Sequence, residues 1–306
     1  MMHSKYRSFA RKTEEVIRLL RIGIVDQYLD NWHCSHFPFY MRETIARLGY
    51  DAQITGAFAV QERPPQGGQC TKDWCRERNI PEASSMEELI ADCDAIMVIA
   101  ADDARCHEEL CRLPLRSGKP VFVDKTFAPD AQAGLRMFDL ARRHGTPVFS
   151  SSAQRYCQSI LDWQAAHPAR PRFVSTVGPH SLDRYAVHQL EVIVALMGPD
   201  ICRVKAFSCG GMVTQLILDY GGGRWASFMQ TPQPYAEFNF MVSPDGETGA
   251  RMASDDGNFY HNLMKAMLTF FMTGLSPVPE KETIAILSVI DKARIARNDP
   301  DVWYPL

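Results

Sequence analysis

Residues 96–128, IMVIAADDARCHEELCRLPLRSGKPVFVDKTFA, decide the fold. Residues 96–100 form a short apolar run, the pattern of a parallel strand buried on both faces. Ala101, Asp102 and Asp103 break that run with small and acidic side chains. Residues 107–115 then offer Leu110, Leu113 and Leu115 as the apolar contacts of a helix. The helix is predicted to stop at Ser117-Gly118-Lys119-Pro120, because glycine supplies a left-handed cap and proline cannot continue the ladder. Val121-Phe122-Val123 reads as the next strand, ending in Asp124-Lys125. Such a βαβ unit crosses over right-handed and leaves its functional loops at the carboxyl ends of its strands. Most lysines that follow a strand are merely solvated. Lys125 falls where open α/β sheets bind ligands, which favours a functional role.

Residues 118–128, GKPVFVDKTFA, resemble the Glu-Lys-Pro motif of the glucose–fructose oxidoreductase and inositol dehydrogenase (Gfo/Idh/MocA) family. Asp124 stands at the acid, Lys125 at the lysine and Thr126 at the proline. The resemblance runs from Leu19 to the C-terminus and is most specific over residues 96–156 and around His188. It implies that Lys125 lies between nicotinamide and substrate. The expected fold is an α/β Rossmann-like N-terminal domain, residues 19–150, followed by an α+β C-terminal domain, residues 151–306, with an open, mainly antiparallel sheet.

The chain departs from that family after its first strand, residues 19–26, LLRIGIVD. A dinucleotide fold carries Gly-x-Gly-x-x-Gly there, so that the backbone can approach the pyrophosphate and the helix can pack close. Here only Gly23 is present, and Asp26, Gln27 and Tyr28 follow. The segment DNWHCSHFPF, residues 30–39, reads as loop, with helical pattern resuming over residues 40–48. Its Asp30-Asn31-Trp32-His33 and Ser35-His36-Phe37 look similar to an Asp-x-x-His variant of the loop within the family. Ser35, His36 and the amides of the next helix are expected to hold an anion. His33, Cys34 and His36 have metal-ligand chemistry, but no strand or helix places further ligands near them, so no metal is expected. Gly23, Asp26, Ala101, Asp102, His107, Asp124 and Lys125 complete the expected cofactor contacts.

Residues 51–60 are the second strand. An acid at its end would favour NAD and a basic residue NADP; Glu62 and Arg63 stand side by side, so both cofactors stay open. Ser84 or Ser85, with an acid three residues on, starts the next helix. Residues 129–144 make an amphipathic helix and 147–150 a last strand. In SSSAQRY, residues 150–156, Arg155 matches a family turn that borders the substrate, although an ordinary surface arginine reads equally well.

The second half changes character. Residues 173–177, 202–207, 213–220, 225–230 and 237–242 read as strands between Gly, Pro or Asp turns. Gly221-Gly222-Gly223 is a hairpin turn rather than a phosphate loop, because no helix follows it. Residues 259–273 and 280–295 are helices, the latter free to pack back on the first domain. The open sheet is expected to form a homodimer or homotetramer interface.

The second chemical cluster is DRYAVHQLEVIVALMG, residues 183–198. Val187, Leu190, Val194 and Met197 follow helical spacing, which sets His188 beside a core stripe. A lone histidine there is by default a satisfied core residue. The segment, however, resembles the family's Asp-x-Gly-x-His helix, with Glu191 and Gly198 also in register. That resemblance implies that His188, with Lys125, handles the proton of the substrate hydroxyl, a task suited to a near-neutral pKa. The family acid falls on Arg184; Asp183 is adjacent but about 100° round the helix. Tyr185 and Asp183 are further catalytic candidates, and Arg155, His180 and Arg184 are expected to contact substrate.

Composition narrows the alternatives. A net charge of −3 argues against nucleic acid as main partner. No apolar run approaches the roughly 20 residues of a membrane span. The basic residues 1–20 lack the apolar core of a signal peptide. Nine cysteines, without a CxxC pair, argue against a disulfide framework or structural zinc and for a reducing, cytoplasmic setting. The function expected is an NAD- or NADP-dependent oxidoreductase moving hydride to or from a sugar, cyclitol or related polyhydroxy small molecule. The altered loop keeps open a non-catalytic ligand- or partner-binding protein with lost or altered dinucleotide binding. A hydrolase or eliminase using bound nicotinamide is a third reading.

Overall fold

A computed structural model describes residues 19–101, 103–207, 213–233, 237–253 and 257–306. Asp102 therefore lies outside the described residues. In chain order the first half contains β1 (Leu20–Asp26), α1 (Trp32–Leu48), β2 (Ala52–Ala59), α2 (Thr71–Arg78), α3 (Met86–Asp92), β3 (Ala95–Val98), α4 (His107–Leu110), β4 (Val121–Val123), α5 (Ala131–Arg143) and β5 (Val148–Ser150). The five strands pair in parallel in the order β2-β1-β3-β4-β5. All four residues of β3 and all three of β4 are buried, as the apolar runs require. The order reverses between β1 and β3, and the carboxyl ends of these two strands open the crevice where such sheets bind ligands.

The second half contains α6 (Gln158–Ala166), β6 (Phe173–Gly178), α7 (Leu182–Met197), β7 (Arg203–Phe207), β8 (Thr214–Asp219), β9 (Trp225–Gln230), β10 (Asn239–Ser243), β11 (Ala250–Ala253), α8 (Phe259–Thr273), α9 (Glu280–Ala296) and β12 (Trp303–Pro305). Its seven-stranded sheet runs β11-β10-β6-β9-β8-β7-β12. Only the β6–β9 pairing is parallel; every other pairing in it is antiparallel. β6 and β9 alternate strictly between buried and half-buried residues, because α7 covers one face. The Gly221-Gly222-Gly223 turn joins β8 to β9, as expected, with positive φ at all three glycines. The short edge strands β11 and β12 were not legible beforehand.

Two helices of the second half return to the first sheet. α8 packs Leu263, Met264, Met267 and Phe270 against Phe37, Met41 and Phe149. α9 lies between α5 and α7. This ties the Rossmann-like sheet to the second sheet through buried apolar surface rather than through a linker alone.

The expected long loop after β1 is corrected here. Helix α1 starts at Trp32, not near Tyr40. Asn31 is its N-cap, and its side-chain oxygen accepts the Cys34 N–H at 3.0 Å. The expected helix over residues 107–115 is likewise shorter, ending at Leu110, with Pro114 starting a separate 3-10 turn. Ser85 caps α3 by accepting the Glu88 N–H at 3.1 Å. Gly23 sits mid-strand, not in a phosphate turn. A Cβ there would lie 3.1 Å from Leu89 and 3.2 Å from Cys93, so its small size lets α3 close onto β1.

Candidate active site

Lys125 leaves β4 at its carboxyl end, and His188 sits two turns into α7. Both side chains line one cavity of about 380 Å³ between the two sheets. Lys125 donates to the Ala101 carbonyl at 3.1 Å, which fixes the ammonium against the turn after β3. The peptide bond joining Lys125 to Thr126 is cis. His188 Nδ1 lies 2.6 Å from Ser152 Oγ, and that oxygen also accepts the Gln154 N–H at 3.2 Å. Burial pushes the His188 pKa well down, and the charges of Lys125, His33 and His180 push it further, so its imidazole is neutral.

His33, on the first turn of α1, faces the same cavity. Its Nδ1 lies 2.5 Å from Asp124 Oδ2. Burial pushes the Asp124 carboxyl up, but the charge and hydrogen bond of His33 and the charge of Lys125 outweigh it, leaving a carboxylate below its usual range. Asp124 thus faces His33 from beneath the floor of the cavity. Trp32, Tyr260, Phe259 and Phe238 add aromatic wall, with Trp32 and Tyr260 5.3 Å apart.

A second cavity of about 200 Å³ opens at the carboxyl ends of β1, β2 and β3. It is lined by Asp26, Asn31, Gln61, Ala100 and Cys106 among others, and Ala101 borders both cavities. The N-terminus of the seventeen-residue α1 lies where they meet, with Asn31 on one side and Trp32 and His33 on the other. Asp26 is 1% exposed and fully engaged by its own chain. It accepts from Ala100 N–H at 3.0 Å, Asn31 Nδ2 at 2.9 Å, Cys34 Sγ at 2.9 Å and Tyr28 N–H at 3.2 Å. Burial raises its pKa against the pull of those donors. Asp26 thus ties the end of β1 to the turn after β3 and to the start of α1.

Several expected site residues are placed elsewhere. Ser35 and His36 border neither cavity, because α1 starts before them and turns them outward. Ser35 Oγ accepts from Arg78 at 3.2 Å, and His36 stacks on Trp32 with centroids 4.1 Å apart. His107 is wholly buried, its ring nitrogens 3.1 Å from the Phe127 carbonyl and 3.0 Å from that of Ile99, a brace between two strand ends. Asp183 lies on the cavity rim but accepts from Arg294 at 2.7 Å, so its charge is directed at α9. Tyr185 and Arg184 line the cavity. His180 stands behind Tyr185, ring centroids 4.2 Å apart.

Arg155 does not border the cavity. It is buried, with Nε 2.6 Å from Glu191 and Nη1 2.8 Å from Glu282. The pair of acids needs a buried cation, and this links the 3-10 turn Ala153–Tyr156 to α7 and α9. Arg155→Met is expected to destabilise the fold by about 3–5 kcal/mol, as for any broken buried pair. Denaturant titration checks this; an unchanged midpoint would mean that the pair is not held.

His33, Ser152, Phe238 and Tyr260 were not singled out for this site. Asn31 in front of a run of helix-compatible residues was the signal for His33. Tyr260 had none, since only the return of α8 brings it here.

The family model described as "Oxidoreductase family, NAD-binding Rossmann fold" (Gfo/Idh/MocA) matches residues 43–152. The match begins inside α1, just past the segment that lacks the glycines. No curated protein matches the chain. Among solved structures, a probable dehydrogenase from Thermotoga maritima is 13% identical with a TM-score of 0.77, over 94% of this chain and 98% of that one. The apo scyllo-inositol dehydrogenase of Lactobacillus casei is 12% identical with a TM-score of 0.75, over 94% and 98%. An oxidoreductase from Agrobacterium radiobacter, in complex with NAD+, L-tartaric acid and magnesium, is 10% identical with a TM-score of 0.73, over 94% and 98%. Such low identities speak for the fold. Residues 43–152, with the lysine motif they contain, thus match the Gfo/Idh/MocA family model, and the chain shares the two-sheet fold of these structures while lacking the glycine-rich loop.

Proposed function

We propose that this protein is an NAD(P)-dependent oxidoreductase moving hydride between a nicotinamide and a sugar, cyclitol or related polyhydroxy small molecule. The observation that carries this reading is the meeting of Lys125 and His188 in one cavity that joins the crevice over β1 and β3. Residues 19–150 would serve as the dinucleotide domain and 151–306 as the substrate domain. The dinucleotide fits in outline: two adjoining cavities meet at a long helix's N-terminus, whose amides suit a pyrophosphate. Asn31 and the first-turn amides would hold the phosphates, Gln61 the adenosine end, and Lys125 and Thr126 the nicotinamide end. Gln61, rather than Glu62 or Arg63, borders the crevice after β2, so either NAD or NADP suits it. The bound nicotinamide supplies the hydride acceptor or donor.

The chain's own groups manage the oxygen and its proton. The Lys125 ammonium stabilises negative charge on the reacting oxygen as the hydroxyl loses its proton. His188 is neutral and can accept that hydroxyl's hydrogen bond at Nε2, with Nδ1–H donated to Ser152. Arg184, Tyr185 and the aromatic wall would orient the rest of the substrate. The scyllo-inositol dehydrogenase of Lactobacillus casei and the tartaric-acid-bound oxidoreductase of Agrobacterium radiobacter support the substrate class.

The test is to offer inositols, aldoses and sugar acids with NAD+ and with NADP+ and to follow nicotinamide absorbance. At least one pairing should be reduced; silence throughout, with no cofactor binding, would overturn the reading. The half-buried sheet face bearing Ser175, Ser227, Ile217 and exposed Met241 suits a homodimer or homotetramer interface. Light scattering should return at least twice the monomer mass, and a monomer at micromolar concentration would contradict this.

A further inference from the structure

The cavity holds a second imidazole that the Lys125–His188 pair does not account for. His33 and His188 face the same space from different elements and have different partners. His188 is backed by a hydroxyl, Ser152. His33 is backed by a carboxylate, Asp124, at 2.5 Å, and Asp124 is 1% exposed. A carboxylate behind one ring nitrogen fixes the ring's orientation and tautomer, and it stabilises the cation formed when the other nitrogen takes a proton.

We propose that His33, oriented by Asp124, is a further catalytic acid–base residue of this site, the group on which the substrate's proton comes to rest. The proposal rests on the oxidoreductase reading and deepens it. In the oxidative direction the substrate's O–H bond breaks and an Nε2–H bond forms on His33. The electron pair of the carbinol C–H bond leaves as hydride to an oxidised nicotinamide, and the C–O bond becomes C=O. In the reductive direction His33 returns the proton to the oxygen.

The placement of charges favours His33 over His188 for this task. Protonation of His188 is opposed by burial and by the Lys125 charge beside it. The buried Asp124 carboxylate offsets that same ammonium at His33, and no carboxylate is bonded to His188 among the described residues. The titratable groups that face His33 or lie beneath it are Asp124 and Lys125 after β4, His188 on α7, Tyr260 on α8, and the Asp26–Cys34 pair. Asp124 is hydrogen-bonded to the ring at 2.5 Å. His33 is also only 14% exposed at its side chain, enough to pass a proton outward while remaining at the cavity wall.

The experiment uses the full chain with the nicotinamide and substrate found by the screen above, and the variants His33→Ala and Asp124→Asn. The expected result is parent-like nicotinamide binding with kcat lowered about 10²-fold in His33→Ala, partly restored by added imidazole. Asp124→Asn should lower kcat and displace the acid limb of the pH profile. Imidazole rescue is a readout that a merely structural histidine would not give. If His33→Ala binds cofactor and turns over within twofold of the parent, with an unchanged pH profile, the proposal is overturned while the oxidoreductase reading stands. If the parent binds no nicotinamide, that reading falls, and this one with it.

Discussion

Lys125→Ala should leave nicotinamide binding within a few-fold of the parent and lower kcat by about 10²–10³, equivalent to about 3–4 kcal/mol of lost transition-state stabilisation. The ammonium is already positioned: it is half-buried, bonded to the Ala101 carbonyl and set at the cavity wall. It therefore costs little reorganisation when the reacting oxygen gains charge. The cofactor's phosphates, by contrast, are assigned to the α1 N-terminus, which the substitution does not touch. Stopped-flow binding beside steady-state turnover separates the two effects. A loss confined to KM would place Lys125 in ground-state binding only.

The second large effect is expected from His188→Ala, a fall in kcat of about 10²–10⁴-fold. The variant removes both the hydrogen-bond acceptor for the hydroxyl and the partner of Ser152. His188→Asn keeps polarity and should recover little, since the shorter amide does not place an acceptor where the imidazole Nε2 stands. The histidine also makes stability pH-dependent. Its folded-state pKa lies below its unfolded value of about 6.5, so the unfolded chain binds more protons. The contribution to stability is intact above pH ~6.5 and shrinks as pH falls below it toward the folded pKa. Thermal unfolding should therefore show a drop in midpoint between neutral pH and about pH 5, smaller in His188→Asn than in the parent. Equal drops in both would show that His188 does not titrate as its burial requires.

The fold was legible where local pattern and position agree. The run of β3, the Gly118–Pro120 stop and the apolar β4 define a βαβ unit from chain chemistry alone, and Lys125 follows from the end of its second strand. The spacing of Val187, Leu190, Val194 and Met197 fixes α7 and hence the side of it that carries His188. What was not legible depends on partners remote in sequence. Arg155 reads as a surface or pocket arginine until Glu191 and Glu282 are brought to it. His107 reads as a cofactor contact until the Ile99 and Phe127 carbonyls close over it. The start of α1 was hidden by Pro38 and by five aromatic or histidine residues, Trp32, His33, His36, Phe37 and Phe39, that resemble loop composition. Yet Asn31 as a cap gives the true start, and moving the start from residue 40 to 32 carries His33 from an unassigned loop to the cavity wall. Asp26 shows the converse: an acid at the end of β1 looks like a ligand contact, but four donors of its own chain occupy it.

Trp32 borders the cavity assigned to the nicotinamide and is 48% exposed, so its emission reports directly on occupancy. Titration of the protein with NADH and with NADPH, exciting tryptophan and reading nicotinamide emission, tests the central claim. The account predicts saturable energy transfer with at least one of the two, retained in Lys125→Ala and reduced in Trp32→Phe. No saturable response to either cofactor would contradict it.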